Sequence, residues 1–213
     1  MSIYEISILI STVLCLILLR VLYVLLKIYT TKCDLQSSHD GLRTILCLGS
    51  GGHTTELLRL VKSLNCKKYN PRLYIIANND KSSEVKMHSS EISQKDYSFT
   101  KIPRSRNVKQ SYSSSVLSTL HAFTRIIPIV YGFKPDIIFC NGPGTCVPLC
   151  VVAFVLRCLF LIDCRIVFVE SVCRVRTLSL TGKILQLFAD IFVVQWPQLR
   201  NDCFRAKYFG RLT

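Results

Sequence analysis

Three short stretches of this 213-residue chain combine residue types that could hold a phosphate-bearing ligand and move a proton beside it. The first, LGSGGHTTELLRL, places Gly49, Ser50, Gly51 and Gly52 between an apolar run and a helical pattern. Glycines let the backbone turn sharply and approach a ligand, and the free amides at the following helix start favour a phosphate or diphosphate. No GK[ST] follows, so this is not a Walker-type loop, and the spacing departs from the dinucleotide pattern GxGxxG. A tight structural turn is the alternative. His53 and Glu56 lie three positions apart on the helix that opens here, where either could orient a hydroxyl or simply favour the helix start.

The second stretch, FCNGPGTCVP, delivers Asn141, Gly142, Pro143, Gly144 and Thr145 to the start of another helix. Two such turns side by side would make a polar, anion-friendly edge. The third, VFVESVCRVRTLSLTGK, ends an apolar run at Glu170, a candidate base or hydroxyl ligand, with an ion pair to Arg174 as the structural alternative. Arg104 and Arg106, in IPRSR, follow a run that reads as a strand and are candidate phosphate contacts.

The elements needed to position these residues are legible as an alternation. Apolar runs ILCLG, RLYIIAN, YSFTKI, DIIFCNG, RIVFVES and IFVVQW alternate with helical patterns over residues 54–64, 116–131, 146–161 and 178–189. This βαβ order predicts one Rossmann-like domain, an α/β doubly wound parallel sheet over residues 44–213. The runs lack strict polar alternation, as strands covered on both faces do. Residues 79–110, rich in Lys, Arg and Ser, are expected to be an exposed loop around the YSFTKI strand, either solvated or touching substrate. The helix at 146–161 is apolar nearly all round, so it is expected to be buried or to touch a bilayer.

Ahead of that domain, residues 1–27 are expected to form a single transmembrane anchor, with residues 28–43 as a polar linker. The apolar stretch from Ile6 to Leu26 has roughly the 20 residues needed to cross a bilayer. A cleaved signal peptide fits less well, lacking a basic start and a small-residue cleavage site. Arg20, Lys27, Lys32 and Arg43 lie on the C-terminal side and only Glu5 precedes, which places the N-terminus in the lumen and the domain in the cytosol. With 27 basic and 13 acidic residues the chain carries a formal charge of +14. These cations are scattered and coexist with an apolar leader, so a membrane surface and phosphorylated substrates fit and nucleic acid does not. The 11 cysteines include no CxxC pair, and no histidine stands at ligand spacing from one. Buried thiols of a reducing compartment, with no metal and no cofactor, are the expectation.

The combination of GSGGHTTE, NGPGTCVP, ESVCRV with LSLTGK, QWPQL and YFGRL resembles the asparagine-linked glycosylation protein fourteen family along nearly the whole domain. That resemblance implies the endoplasmic-reticulum anchoring and acceptor-binding subunit of a UDP-N-acetylglucosamine transferase, adding the second GlcNAc to GlcNAc-diphosphodolichol. It implies the acceptor-side half of a GT-B glycosyltransferase of the MurG type, inverting and inactive alone. A separate soluble partner, protein thirteen of the same pathway, would bind the donor UDP-GlcNAc. The 49–52 turn, His53 and the 141–145 turn would face the acceptor, and Tyr208, Phe209, Gly210 and Leu212 would help bind the partner. Asn107 and Arg176 depart from the acidic residues expected there. The rival readings are a non-catalytic membrane scaffold that only recruits a soluble enzyme, and a self-sufficient transferase.

Overall fold

The computed structural model describes residues 2–30, 41–91, 96–104, 112–201, 203 and 205–213, with the backbone alone for 112–117. The chain runs α1 (Ile3–Thr30), β1 (Thr44–Cys47), α2 (Gly52–Ser63), β2 (Arg72–Ala77), α3 (Lys81–Ser90), β3 (Tyr97–Ile102) and α4 (Tyr112–Phe133). It continues with β4 (Ile137–Asn141), α5 (Cys146–Cys158), β5 (Arg165–Val169), α6 (Leu180–Leu185), β6 (Ile191–Val194), a 3-10 turn (Pro197–Arg200) and β7 (Ala206–Tyr208). All seven strands are parallel, in the order β3-β2-β1-β4-β5-β6-β7. The order reverses between β1 and β4, which makes their carboxyl ends the topological switch point where ligands of such sheets bind.

Burial explains the near-continuous apolar strands. Ile45 and Cys47 of β1 face α4, α5 and α6 with Ile126, Leu149 and Leu185. Their neighbours Leu46 and Leu48 face α2 and α3 with Leu57, Val61 and Met87. Each β1 side chain therefore meets a helix, and alternation with polar residues would put a polar group in one of two cores.

The basic stretch 79–110 holds a helix that the reading as a loop missed. α3 has little amphipathic signal, yet Asp80 caps it, its side chain accepting from the Ser83 amide at 3.0 Å. Arg72, Tyr74 and Glu91 tie its far end to β2, with Arg72 and Glu91 paired at 2.8 Å and almost wholly buried. The structure also differs at α6, which is shorter than the pattern over 178–189, and at β7, whose three residues carry no sequence signal.

α1 is long and apolar enough to cross a membrane. Its first residues are exposed, while Val24 and Ile28 pack against Cys158 and Phe154. Arg205 donates to the Ile28 carbonyl, and Tyr29 to that of Leu187. Most of residues 28–43, the expected linker, lies outside the described residues.

Candidate functional site

At the β1–β4 switch point the two glycine turns meet. The chain leaves β1 through Gly49 and Ser50, and Gly51, at φ 65°, starts α2 with no side-chain cap. An L side chain rarely adopts that φ, and the missing cap leaves the first amides of α2 without an intrahelical or side-chain acceptor. A Cβ built on Gly51, Gly52 or Gly144 would meet nothing within 4 Å, so these backbones face open space that a ligand could fill. Gly49 and Gly142 serve closeness instead. A Cβ on Gly49 would stand 2.7 Å from Pro143 Cγ, and one on Gly142, at φ 66°, would stand 2.5 Å from the His53 ring.

His53 is thereby clamped between the turns, half-buried, with its Nδ1 3.1 Å from Asn141 Oδ1. The tautomer follows from what lies behind it. Asn141, wholly buried, points its Nδ2 at Glu56 Oε2 (3.0 Å) and at the Val169 carbonyl (3.3 Å), and both can only accept. The amide nitrogen must therefore face them, Oδ1 must face the imidazole, and the ring must carry its proton on Nδ1. In the neutral ring the lone pair then sits on Nε2, the nitrogen that can take a proton.

Glu56 serves this arrangement from behind: it is buried and accepts from Ser171 Oγ at 2.9 Å and from the Val172 amide at 3.3 Å. It ties the 141 turn to the loop after β5. Glu170, the other candidate carboxylate, has no exposed surface and its oxygens are occupied. It accepts from the Ser171 and Ser179 amides and from Ser179 Oγ, at 2.9–3.1 Å. Gly182 leaves room for it, since a Cβ there would run into the carboxylate. These contacts take the place of the alternative ion pair with Arg174, which is exposed. Glu170 orders the 171–179 loop and the start of α6.

Other expected residues fall around this centre. Arg104 stands near Asp80, 4.0 Å away, at the carboxyl end of β3, two strands from β1. Arg106 and Asn107 lie outside the described residues. Thr145 precedes α5, but the Cys146 and Val147 amides already donate to Pro143 and Gly144, so the second turn offers fewer free donors than the first. Tyr208, Phe209, Gly210 and Leu212 cluster at the β7 edge on the same carboxyl side, with Phe209 64% exposed. Gln195 Oε1 holds the Leu212 and Thr213 amides, which keeps this tail on the sheet.

Two features escaped the sequence reading. Lys86 on α3 reaches the first turn, donating to Thr55 Oγ1 (3.1 Å) and toward the Gly51 carbonyl (3.4 Å), and sets a cation beside the open amides. Only the unexpected helix brings it there. Below the site, the sulfurs of Cys47, Cys140 and Cys146 lie within 4.8 Å of one another, a cluster close enough to share a soft metal ion. Burial pushes the Cys140 and Cys146 thiols up, while hydrogen bonds from those two hold the Cys47 thiol down. Cys47 stands far from the other two in sequence, so no ligand spacing marks the cluster.

Residues 44–212 match the model of a family described as oligosaccharide biosynthesis protein Alg14 like. The UDP-N-acetylglucosamine transferase subunit ALG14 of Mus musculus is 48% identical over 81% of this chain and 84% of its own length. The subunits of the same name from Homo sapiens and Yarrowia lipolytica are each 43% identical, over 89% and 95% of this chain and 92% and 95% of their own. Among solved structures, Acinetobacter baumannii MurG superposes with a TM-score of 0.55 at 14% identity, over 73% of this chain and 41% of MurG. A UDP-N-acetylglucosamine 2-epimerase from Rickettsia bellii gives 0.53 at 11%, over 81% of this chain and 45% of its own. The chain thus spans less than half of either, and the likeness is one of fold. With a family model covering nearly the whole domain and relatives above 40% identity along most of the chain, this protein belongs to the Alg14 family.

Proposed function

We propose that this chain is the membrane-anchored, acceptor-binding subunit of a UDP-N-acetylglucosamine transferase of the endoplasmic reticulum. It adds the second GlcNAc to GlcNAc-diphosphodolichol and works only with a separate, soluble subunit that binds UDP-GlcNAc. The observation that carries this reading is the uncapped start of α2, open at Gly51 and Gly52, beside the imidazole of His53 at the switch point. The names of the relatives support the reaction, and the single Rossmann-like sheet, less than half of a MurG, supports the need for a second subunit.

In this reading the acceptor diphosphate lies on the α2 amides with Lys86 offsetting its charge. His53 Nε2 takes the proton of the sugar hydroxyl as that oxygen attacks the donor's anomeric carbon; UDP leaves and the anomeric configuration inverts. Asn141 and Glu56 hold the imidazole, Glu170 is a positioning residue, and Phe209 with Tyr208 meets the partner. α1 spans the membrane with the domain in the cytosol, keeping the site near a lipid-linked acceptor.

The test is disaccharide formation from UDP-GlcNAc and a GlcNAc-diphosphate lipid, with each subunit alone and with both. Activity should require both chains and fall at least a hundredfold in His53→Ala, within the usual range for a proton-transfer group. An undiminished rate in that variant would reduce this chain to a scaffold that only recruits the enzyme.

A further inference from the structure

Away from the switch point, α1 and the end of α5 line an open cavity of about 440 Å³, whose lining includes Arg20, Tyr23, Lys27, Arg157, Phe160 and Asp163. We infer that this cavity holds the phosphate head group of an anionic glycerophospholipid. The inference rests on the proposal that α1 crosses the membrane.

Depth is the first argument. From Ile6 to Leu26 the helix carries its apolar stretch, which at about 1.5 Å per residue rises about 32 Å, close to the roughly 30 Å of a hydrocarbon core. Arg20 lies about 9 Å inside the end of that stretch, where its long side chain reaches the head-group level, and Lys27 stands just past it. The α5–β5 connection joins α1 at this level with an apolar face out: Leu159, Phe160 and Leu161 are 47%, 74% and 44% exposed. Exposed apolar residues beside a membrane helix are what an element dipping into the interface presents.

Charge is the second argument. Arg20 stacks on Phe160, its guanidinium carbon 3.7 Å from the ring centroid, and its Nη2 is 3.5 Å from the Arg157 carbonyl. Its Nε is buried with no hydrogen-bond partner among the described residues. Arg157 is already held by Asp190 at 2.9 Å and faces Asp163 at 3.7 Å. Asp163 in turn pairs with Arg165. Arg20 and Lys27 have no carboxylate partner among the described ion pairs and leave the cavity positive. A guanidinium fixed on an aromatic face with an unused N–H suits a phosphate oxygen, and the acyl chains would run down the exposed face of α1.

The experiment uses the full chain in bilayer nanodiscs of equal parts phosphatidylcholine and phosphatidylinositol, with native mass spectrometry of the lipid retained on release. Phosphatidylinositol should be retained about thirtyfold over phosphatidylcholine, the factor that two cations at a membrane surface supply. Arg20→Gln with Lys27→Gln should abolish the preference. Lys27→Glu alone, at an exposed position that leaves the Arg20 stacking intact, should also abolish it, which guards against a misfolded double variant. Equal retention of both lipids by the inserted parent chain, or a preference unchanged in the variants, overturns the inference. Displacement of the lipid by inorganic phosphate would mark a soluble-anion site and also overturns it. Extraction of the parent chain from membranes by alkaline carbonate would instead overturn the anchor itself.

Discussion

Replacing Gly142 by alanine tests whether the site works by clamping His53. At φ 66° alanine carries a strain of roughly 1–2 kcal/mol, partly offset because alanine also restricts the unfolded chain. The new methyl carbon would stand 2.5 Å from His53 Cε1 and 2.7 Å from Nδ1, where ordinary contact begins at 3.4 Å. The ring must retreat by about 0.9 Å, which breaks its 3.1 Å contact with Asn141 and turns Nε2 away from the substrate hydroxyl. A misplacement near 1 Å is worth about a hundredfold in rate. Stability should fall by only about 1 kcal/mol, a Tm shift of about 2–4 °C for a chain of this size.

The assay pairs disaccharide formation by the two-subunit enzyme with thermal unfolding of this chain. The control is Gly132→Ala in α4, where a Cβ meets nothing within 4 Å; it should gain about 0.5–1 kcal/mol and keep full activity. If Gly142→Ala transferred sugar at the parent rate while His53→Ala did not, the clamp would be irrelevant and the tautomer argument would fall with it.

Glu170→Gln should behave in the opposite way, because its amide would face backbone and serine donors: a loss of about 2–3 kcal/mol in unfolding free energy, with much of the rate per folded molecule retained. A large rate loss at unchanged stability would restore it as a base. Lys86→Ala should raise the acceptor KM about two- to fivefold and leave kcat alone, and the effect should shrink as salt is added. Phe209→Ala, at an exposed position, should weaken partner binding at least tenfold by titration calorimetry without moving Tm; unchanged affinity would place the interface elsewhere. Burial, and then the Glu91 carboxylate, push the Tyr74 hydroxyl far above its usual value, so stability is full below about pH 10 and is lost as pH rises beyond it. Tyr74→Phe should flatten that decline in denaturant titrations across alkaline pH.

The sheet was legible because each buried strand wrote a continuous apolar run and each glycine turn interrupted one. What was hidden depended on contacts between distant residues. α3 has no apolar stripe to read; it exists because Asp80 caps it and Glu91 neutralises Arg72 beneath β2. Lys86 became part of the site only through that helix. The roles of the two glutamates were equally unreadable, because Glu56 and Glu170 both sit beside glycine-rich turns and only burial and hydrogen-bond partners separate them. β7 forms because β6 offers an edge, not because three residues Ala206–Tyr208 prefer to be extended.

The two edges of the sheet do different work, and the direction of the helices explains how one basic chain serves both. At the carboxyl edge helices begin, so free amides gather at Gly51 and Gly52 and attract anions. At the opposite edge helices end and leave carbonyls without partners. There the chain spends arginines: Arg43 donates to Phe133 at the end of α4, Arg20 to Arg157 in the last turn of α5, and Arg205 to Gln186 after α6 and to Ile28 near the end of α1. Those bonds fasten α1 to the carbonyl edge and collect cations on the side where α1 packs. The charge of +14 is therefore not one diffuse field. Part of it offsets the helix ends that hold α1, and another part, with Lys86, stands at the edge where, on the proposed reading, a diphosphate would bind. Removing Arg205 should loosen the docking of α1 on the domain while leaving the His53 site intact, because the two sets of charges answer to opposite ends of the same helices.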